Sequence, residues 1–195
     1  ITPSSEFSSE QVVYVAIGTT VEDEWDNAIS ASSSTFTTAD ATAPSVNFDP
    51  EDTATGIPIE SNVTLTFSEA IRNVDDTAIT NSNVGDLITL EYAYDGIPVA
   101  FSATIDGTKK VITINPDSDF ISGEVVFVSI ESVEDNSGNA MSATSGTFSV
   151  TDVTPPVVAF SPANLATNVS VDTDIYISFD EEIRLIDNSD LNSIN

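Results

Sequence analysis

The sequence repeats itself at a spacing of about one domain. The segment 62–72, Asn-Val-Thr-Leu-Thr-Phe-Ser-Glu-Ala-Ile-Arg, returns at 174–184 as Asp-Ile-Tyr-Ile-Ser-Phe-Asp-Glu-Glu-Ile-Arg, 112 residues later. In both copies apolar residues alternate with polar ones before the shared Phe, which is the pattern of a half-buried strand. A repeat of this length matches a whole domain and is too long for a solenoid unit. The chain is therefore predicted to be part of a tandem array.

Further matching segments and two linkers predict where the domains begin and end. The segment 11–17, Gln-Val-Val-Tyr-Val-Ala-Ile, parallels 124–130, Glu-Val-Val-Phe-Val-Ser-Ile. Pro-containing linkers occupy 39–44 and 151–156, and they are predicted to be short and stiff because Pro fixes its own φ and favours extended geometry before it. The predicted domains are the C-terminal half of a repeat at 1–40, a complete repeat at 41–152, and the N-terminal half of the next at 153–195. We expect the half-repeats to reflect where this sequence is cut, the alternative being that neighbouring chains pair them.

The complete repeat reads as a series of short strands. Turn signals recur every eight to twelve residues, among them Asp95-Gly96 and Asp106-Gly107, and seven or eight strands fit between them. A single helical turn could form over 75–81, with Asp75 or Asp76 as its N-cap. This spacing without a long helical pattern favours an all-β antiparallel sandwich.

The charge of the chain excludes several classes of partner. The sequence holds 32 acidic and four basic residues, for a formal net charge of −28. Nucleic acid requires a basic surface, so no nucleic-acid partner is expected. The sequence also contains neither Cys nor His, which removes disulfides, thiolate metal sites and the commonest general base. No apolar run reaches the length of a membrane span, so direct membrane insertion is not expected.

The order of the repeated motifs resembles the bacterial Ig-like domains of S-layer proteins and large surface adhesins. The residues that carry this resemblance are Pro155, Pro156, Val158, Pro162, Phe179, Glu181 and Ile183, and one unit earlier Asp135, Gly138, Asn139, Thr147 and Phe148. The first copy departs from the pattern, because Trp25 and Asp26 replace Ser137 and Gly138. The resemblance implies tandem Ig-like antiparallel β-sandwich domains on the bacterial surface, with no catalytic activity.

The topology of such a sandwich predicts where acidic side chains meet. The linker, the loop after the second strand and the loop before the last strand should share one pole. The candidate metal ligands that these segments supply are Asp40, Glu69, Asp75, Asp76, Asp135, Asn136 and Asn139, with Asp152 and Glu181 at the next junction. Calcium prefers six to eight oxygen ligands of this kind, so Ca²⁺ could bind there and stiffen the junction. The competing interpretation is that these residues are solvated turn formers.

The sequence favours a mechanical function over chemistry. We expect a non-catalytic segment of a long extracellular bacterial protein, either on the cell surface or secreted, that acts as a rigid spacer and projects a distal binding region. Its partners would be the neighbouring Ig-like repeats of the same chain. The alternatives are a carbohydrate- or protein-binding Ig-like module, or an accessory domain of a secreted hydrolase. Trp25, the single Trp, is expected to cover a neighbouring loop or linker rather than to anchor a ligand.

Overall fold

A computed structural model describes residues 1–187, and the chain divides into two compact units, 1–151 and the part from Asp152 onward. Strands dominate the described residues. They are β1 (Val12–Ile17), β2 (Ser32–Thr37), β3 (Val46–Asp49), β4 (Ala54–Ile57), β5 (Val63–Phe67), β6 (Arg72–Asn73), β7 (Ile88–Tyr92), β8 (Phe101–Ile105), β9 (Val111–Pro116), β10 (Val125–Ile130), β11 (Val133–Glu134), β12 (Ala140–Met141), β13 (Thr144–Val150), β14 (Val158–Ser161) and β15 (Tyr176–Phe179). A single turn of 3₁₀ helix, Val84–Leu87, precedes β7. Within the described residues, no helix has the length and hydrophobicity needed to span a membrane.

The complete repeat is a β-sandwich, as the sequence predicts. One sheet has the order β4-β13-β10-β7 and the other β3-β5-β9-β8. Neighbouring strands in these sheets run antiparallel, except that β4 lies parallel to β13 and pairs Ala54 with Phe148. The all-β sandwich prediction is confirmed, and the parallel pairing is a feature that local sequence patterns do not reveal.

The core lies between the two sheets and follows the strand alternation. On β5, Val63, Leu65 and Phe67 are buried, whereas Thr66 is exposed. On β10, which belongs to the other sheet, the alternate residues Val126, Val128 and Ile130 are buried. Burying one such side chain contributes about 1.5–3 kcal/mol relative to leaving it exposed, so this alternation stabilises the sandwich.

The N-terminal half-repeat reproduces part of the complete one. β1 pairs with β2 so that Val13 faces Phe36, and β10 pairs with β13 so that Val126 faces Phe148. The Phe7 and Phe36 rings meet edge to face at 5.8 Å between centroids, and the Phe120 and Phe148 rings do so at 5.5 Å. Phe7 is therefore the counterpart of Phe120, a match that the sequence comparison misses.

The second unit begins in the same way as the complete repeat. β14 pairs antiparallel with β15, bringing Val158 opposite Phe179. The equivalent pairing in the complete repeat brings Val46 opposite Phe67 on β3 and β5.

The expected helical turn over 75–81 is wrong. Asp75 instead accepts hydrogen bonds from the backbone N–H and the hydroxyl of Thr77. Asn73 donates its backbone N–H to the Thr77 carbonyl, and Asp76 adopts a positive φ of 66°. These bonds close a tight turn, and the 3₁₀ helix forms a few residues later.

Candidate metal centre

Three acidic side chains converge where the linker meets the complete repeat. Asp40 lies on the linker, Glu69 follows β5 and Asp135 follows β11. One carboxylate oxygen from each lies within 4.8 Å of the other two. Because β5 and the β11 segment run to the same pole of the sandwich, three chain segments deliver one carboxylate each to this junction.

Asp135 is the rigid member of this acidic trio. Its exposed fraction is 1%. One carboxylate oxygen accepts the backbone N–H groups of Ser137 and Asn139, both at 2.8 Å, and the other accepts the Asn139 side-chain amide at 2.7 Å. Burial raises the pKa of Asp135, but these hydrogen bonds outweigh it and hold the pKa below its ordinary value. Asp135 is therefore held ionised.

The same loop architecture recurs in the first copy. Asp23 accepts the backbone N–H groups of Trp25 at 2.9 Å and Asn27 at 3.0 Å, and also the Asn27 side-chain amide. Asp26 adopts a φ of 64° where Gly138 has 86°. Asp tolerates the left-handed region better than most residues, so replacing the glycine leaves the loop geometry intact.

Asp40 is oriented by bonds from both sides of the linker. Its carboxylate accepts the Ser9 hydroxyl at 2.8 Å and the Thr42 backbone N–H at 3.0 Å. Its backbone carbonyl accepts the side-chain amide of Asn139 at 3.3 Å. The linker carboxylate is thus placed by defined contacts, close to Asp135.

Glu69 is the member of the acidic trio whose pKa is raised above its ordinary value. Burial raises its pKa, and the negative charges of Asp135 and Asp40 raise it further. Glu10 acts in the same direction, and Lys110 partly opposes them. Repulsion among carboxylates is relieved by a proton or by a cation. Sequence reasoning misses Glu10, because the equivalent residue of the next repeat is Gly123 and the repeat pattern carries no acid there.

The other candidate ligands of this junction have separate roles. Asp76 pairs with Arg72 at 2.5 Å, and Arg72 also pairs with Glu134 at 2.9 Å. Asp75 closes its own turn onto Thr77. Asn136 is exposed, and Asn139 positions Asp135 and the linker through its amide.

The second unit carries part of a similar arrangement. Burial raises the pKa of Glu181, and the nearby charges of Asp152 and Asp180 raise it as well. Asp152 accepts the Thr154 backbone N–H at 2.9 Å, as Asp40 accepts that of Thr42. Two of the predicted ligands, Asp152 and Glu181, are therefore electrostatically coupled.

The donor set suits a hard cation. Carboxylate oxygens are the ligands that Ca²⁺ prefers, and a calcium ion accepts six to eight oxygens in a flexible geometry. The acidic trio supplies three carboxylates from three segments, so a cation bound among them would link the segments and offset their repulsion.

Trp25 lies at the first copy of the Asp135 loop, and its side chain is 81% exposed. The expectation that it covers a neighbouring loop or linker is wrong. Its backbone N–H donates to the Asp23 carboxylate at 2.9 Å.

Comparison with known proteins places the complete repeat in a family. No curated protein sequence matches the chain. Solved structures similar to it include surface layer protein SbsC, domains 1–6, with 12% identity and a TM-score of 0.42 over 62% of this chain and 15% of that one. The N-terminal part of the bacterial S-layer protein SbsC gives 16% identity and a TM-score of 0.40 over 62% of this chain and 26% of that one. CopC from Methylosinus trichosporium OB3b gives 13% identity and a TM-score of 0.39 over 56% of this chain and 93% of that one.

The chain thus spans only about 15% of the length of the first of these structures. The family model described as "Bacterial Ig-like domain" matches residues 40–151, more than half of the chain. The match begins at the linker residue Asp40 and ends one residue after β13, which is the last strand of the complete repeat. The chain belongs to the bacterial Ig-like domain family.

Proposed function

We propose that this chain is a non-catalytic spacer segment of a long bacterial protein that is secreted or displayed on the cell surface. Successive Ig-like repeats would project a distal binding region, and calcium at the junctions between repeats would stiffen the array. The observation that carries the proposal is the acidic trio, because its three carboxylates come from a linker and from two loops of the repeat that follows.

The repetition of local structure supports a spacer. The Asp23 loop reproduces the Asp135 loop bond for bond, and the Phe7–Phe36 ring pair reproduces the Phe120–Phe148 pair. A chain that builds the same unit again adds length with each copy. The lack of His and Cys in the sequence and the use of carboxylates to organise loops support a non-catalytic role.

Charge supports a cation at the junction. A net charge of −28 opposes compaction through self-repulsion, and the raised pKa of Glu69 locates part of that repulsion at the linker. A divalent cation bound by Asp40, Glu69 and Asp135 would convert this repulsion into a cross-link between the linker and the sandwich.

Thermal unfolding in millimolar calcium and in excess EDTA tests the proposal, with sodium chloride used to equalise ionic strength. Saturating calcium is expected to raise the Tm by roughly 5–10 °C, since a ligand at about 100 times its Kd stabilises by about 2.7 kcal/mol. Glu69→Gln is expected to lose most of this shift and to be more stable than the wild type in EDTA, because it removes one of the repelling charges.

Glu131→Gln is the matched control, because it is the same chemical change at an exposed position, and it should keep the full calcium response. Equal melting in calcium and sodium would reject the calcium part of the proposal. A spacer without calcium would then depend on its proline-containing linkers for stiffness.

A binding module is the second candidate, and the exposed ring of Trp25 favours it. Exposed Trp side chains are frequent anchors in recognition sites. Because Trp25 is the single Trp of the chain, its fluorescence reports directly on a ligand. A saturable emission shift with a soluble polysaccharide, lost in Trp25→Ala, would support this candidate, and an unchanged spectrum would count against it.

A further inference from the structure

The linker at Asp40 is held by hydrogen bonds that need no ion. The Ser9 hydroxyl donates to the Asp40 carboxylate at 2.8 Å and accepts the Ala41 backbone N–H at 2.9 Å. On the other side, the Asn139 side-chain amide donates to the Asp40 backbone carbonyl at 3.3 Å. One linker residue and its neighbour are therefore bonded to two segments that lie far away in sequence.

These bonds join the half-repeat to the complete repeat. Ser9 lies just before β1, and Asn139 lies between β11 and β12 of the sandwich. A backbone bond from Glu10 to the Ala39 carbonyl, 3.3 Å long, continues the same contact. Beyond it, Pro44 is buried and its ring fixes φ. The linker thus passes through a bonded segment and then a conformationally restricted one.

We infer that Ser9, Asp40 and Asn139 form a latch that sets the path of the linker in the absence of any cation. The latch goes beyond the proposed calcium site, because it positions Asp40 before an ion arrives. In this arrangement the polypeptide determines the direction in which one repeat follows another, and a cation adds stability to a geometry that already exists.

Parts of the same arrangement return one repeat later. Ser122 and Asp152 occupy the positions of Ser9 and Asp40 in the sequence. The Gly123 backbone N–H donates to the Thr151 carbonyl at 3.4 Å, as that of Glu10 does to Ala39. The Thr154 backbone N–H donates to Asp152, as that of Thr42 does to Asp40. The backbone bond before the linker and the turn within it therefore recur one repeat later.

Amide hydrogen exchange of the 195-residue chain in excess EDTA tests the latch. The Ala41 amide lies outside every strand, so its protection depends on the bond to Ser9. We expect wild-type Ala41 to exchange roughly five- to tenfold more slowly than an unprotected amide. Ser9→Ala should abolish this protection, while the amide of Leu65 in β5 stays protected and shows that the sandwich is folded.

Ser8→Ala is the matched control, because Ser8 is the exposed neighbour and undergoes the same loss of a hydroxyl; it should leave Ala41 unchanged. The inference is overturned if Ala41 is unprotected in EDTA and gains protection only with calcium. It is equally overturned if both serine variants accelerate Ala41 by the same factor. A failure of calcium to bind would leave the expected Ala41 result in EDTA intact, so the latch and the proposed calcium site are tested separately.

Discussion

At the scale of single residues, backbone conformation decides which glycines tolerate substitution, and Gly138 in the Asp135 loop is the clearest case. Gly138 has a φ of 86°, and a Cβ added there would meet no atom within 4 Å. Gly138→Ala is therefore expected to cost about 1–2 kcal/mol for conformational reasons alone. Urea unfolding measures the loss. Gly107 also has open space around it but no positive φ, so Gly107→Ala should be neutral or slightly stabilising. Equal losses in the two variants would contradict this account.

The lowered pKa of Asp106 predicts how stability depends on pH below about 4. The side-chain hydrogen bond from Thr108, with backbone N–H bonds from Val111 and Lys110, lowers its pKa from 3.8 to about 2. A carboxyl group with a lowered folded-state pKa stabilises fully above its unfolded pKa, and this contribution is lost as the pH falls from about 4 through 2. Asp106→Asn should therefore be less stable at pH 7 and lose less stability on acidification.

Urea unfolding between pH 7 and pH 2 measures this difference. Asp119→Asn, the same change at an exposed loop position, serves as the control and should retain the acid dependence of the wild type. If the wild type and Asp106→Asn lose the same stability between pH 7 and pH 2, the Thr108 hydrogen bond does not lower the pKa of Asp106.

At the scale of elements, the alternation on β5 predicts a sharp contrast between adjacent residues. Leu65 is fully buried between the sheets, and Thr66 is exposed. Leu65→Ala should lower the free energy of unfolding by about 2–5 kcal/mol because it leaves a cavity. Thr66→Ala should change it by less than about 1 kcal/mol. Denaturant titration followed by the amide signals of β5 and β9 measures both, and a similar loss in both variants would place Leu65 outside the core.

Strands and the pole at which the acids meet could be predicted from the sequence, because alternation and turn residues act locally. Asp40, Glu69 and Asp135 could be grouped for the same reason, since strand order determines which loops share a pole. The parallel pairing of Ala54 with Phe148 could not be predicted, because it joins residues far apart in the chain. Glu10 could not be predicted because its position carries Gly in the other copy. The contacts of Asp75 with Thr77 and of Asp76 with Arg72 could not be predicted either, because they belong to a tight turn that the sequence pattern does not reveal.

At the scale of the whole molecule, equivalent strands differ in what covers them. Val128 and Ile130 of β10 are buried beneath the opposite sheet, with exposed fractions of 1% and 0%. Their counterparts on β1, Val15 and Ile17, are 41% and 47% exposed, although β1 and β10 have equivalent antiparallel partners. β1 and β10 therefore have the same kind of backbone pairing, but their apolar side chains differ in burial.

This contrast predicts a hierarchy of amide exchange across the chain. Burial of apolar side chains, rather than the hydrogen-bonded ladder alone, determines how costly it is to open a strand. We expect β10 and β13 to exchange at least about a hundredfold more slowly than β1 and β2, since two buried aliphatic side chains contribute about 3–6 kcal/mol when fully covered. Hydrogen exchange read by mass spectrometry compares the two hairpins within one sample. Leu65→Ala, which weakens the opposite sheet, should accelerate β10 and β13 but leave β1 and β2 unchanged. Equal protection of the two hairpins in the wild type would mean that the ladder, and not the sandwich core, holds the repeats together.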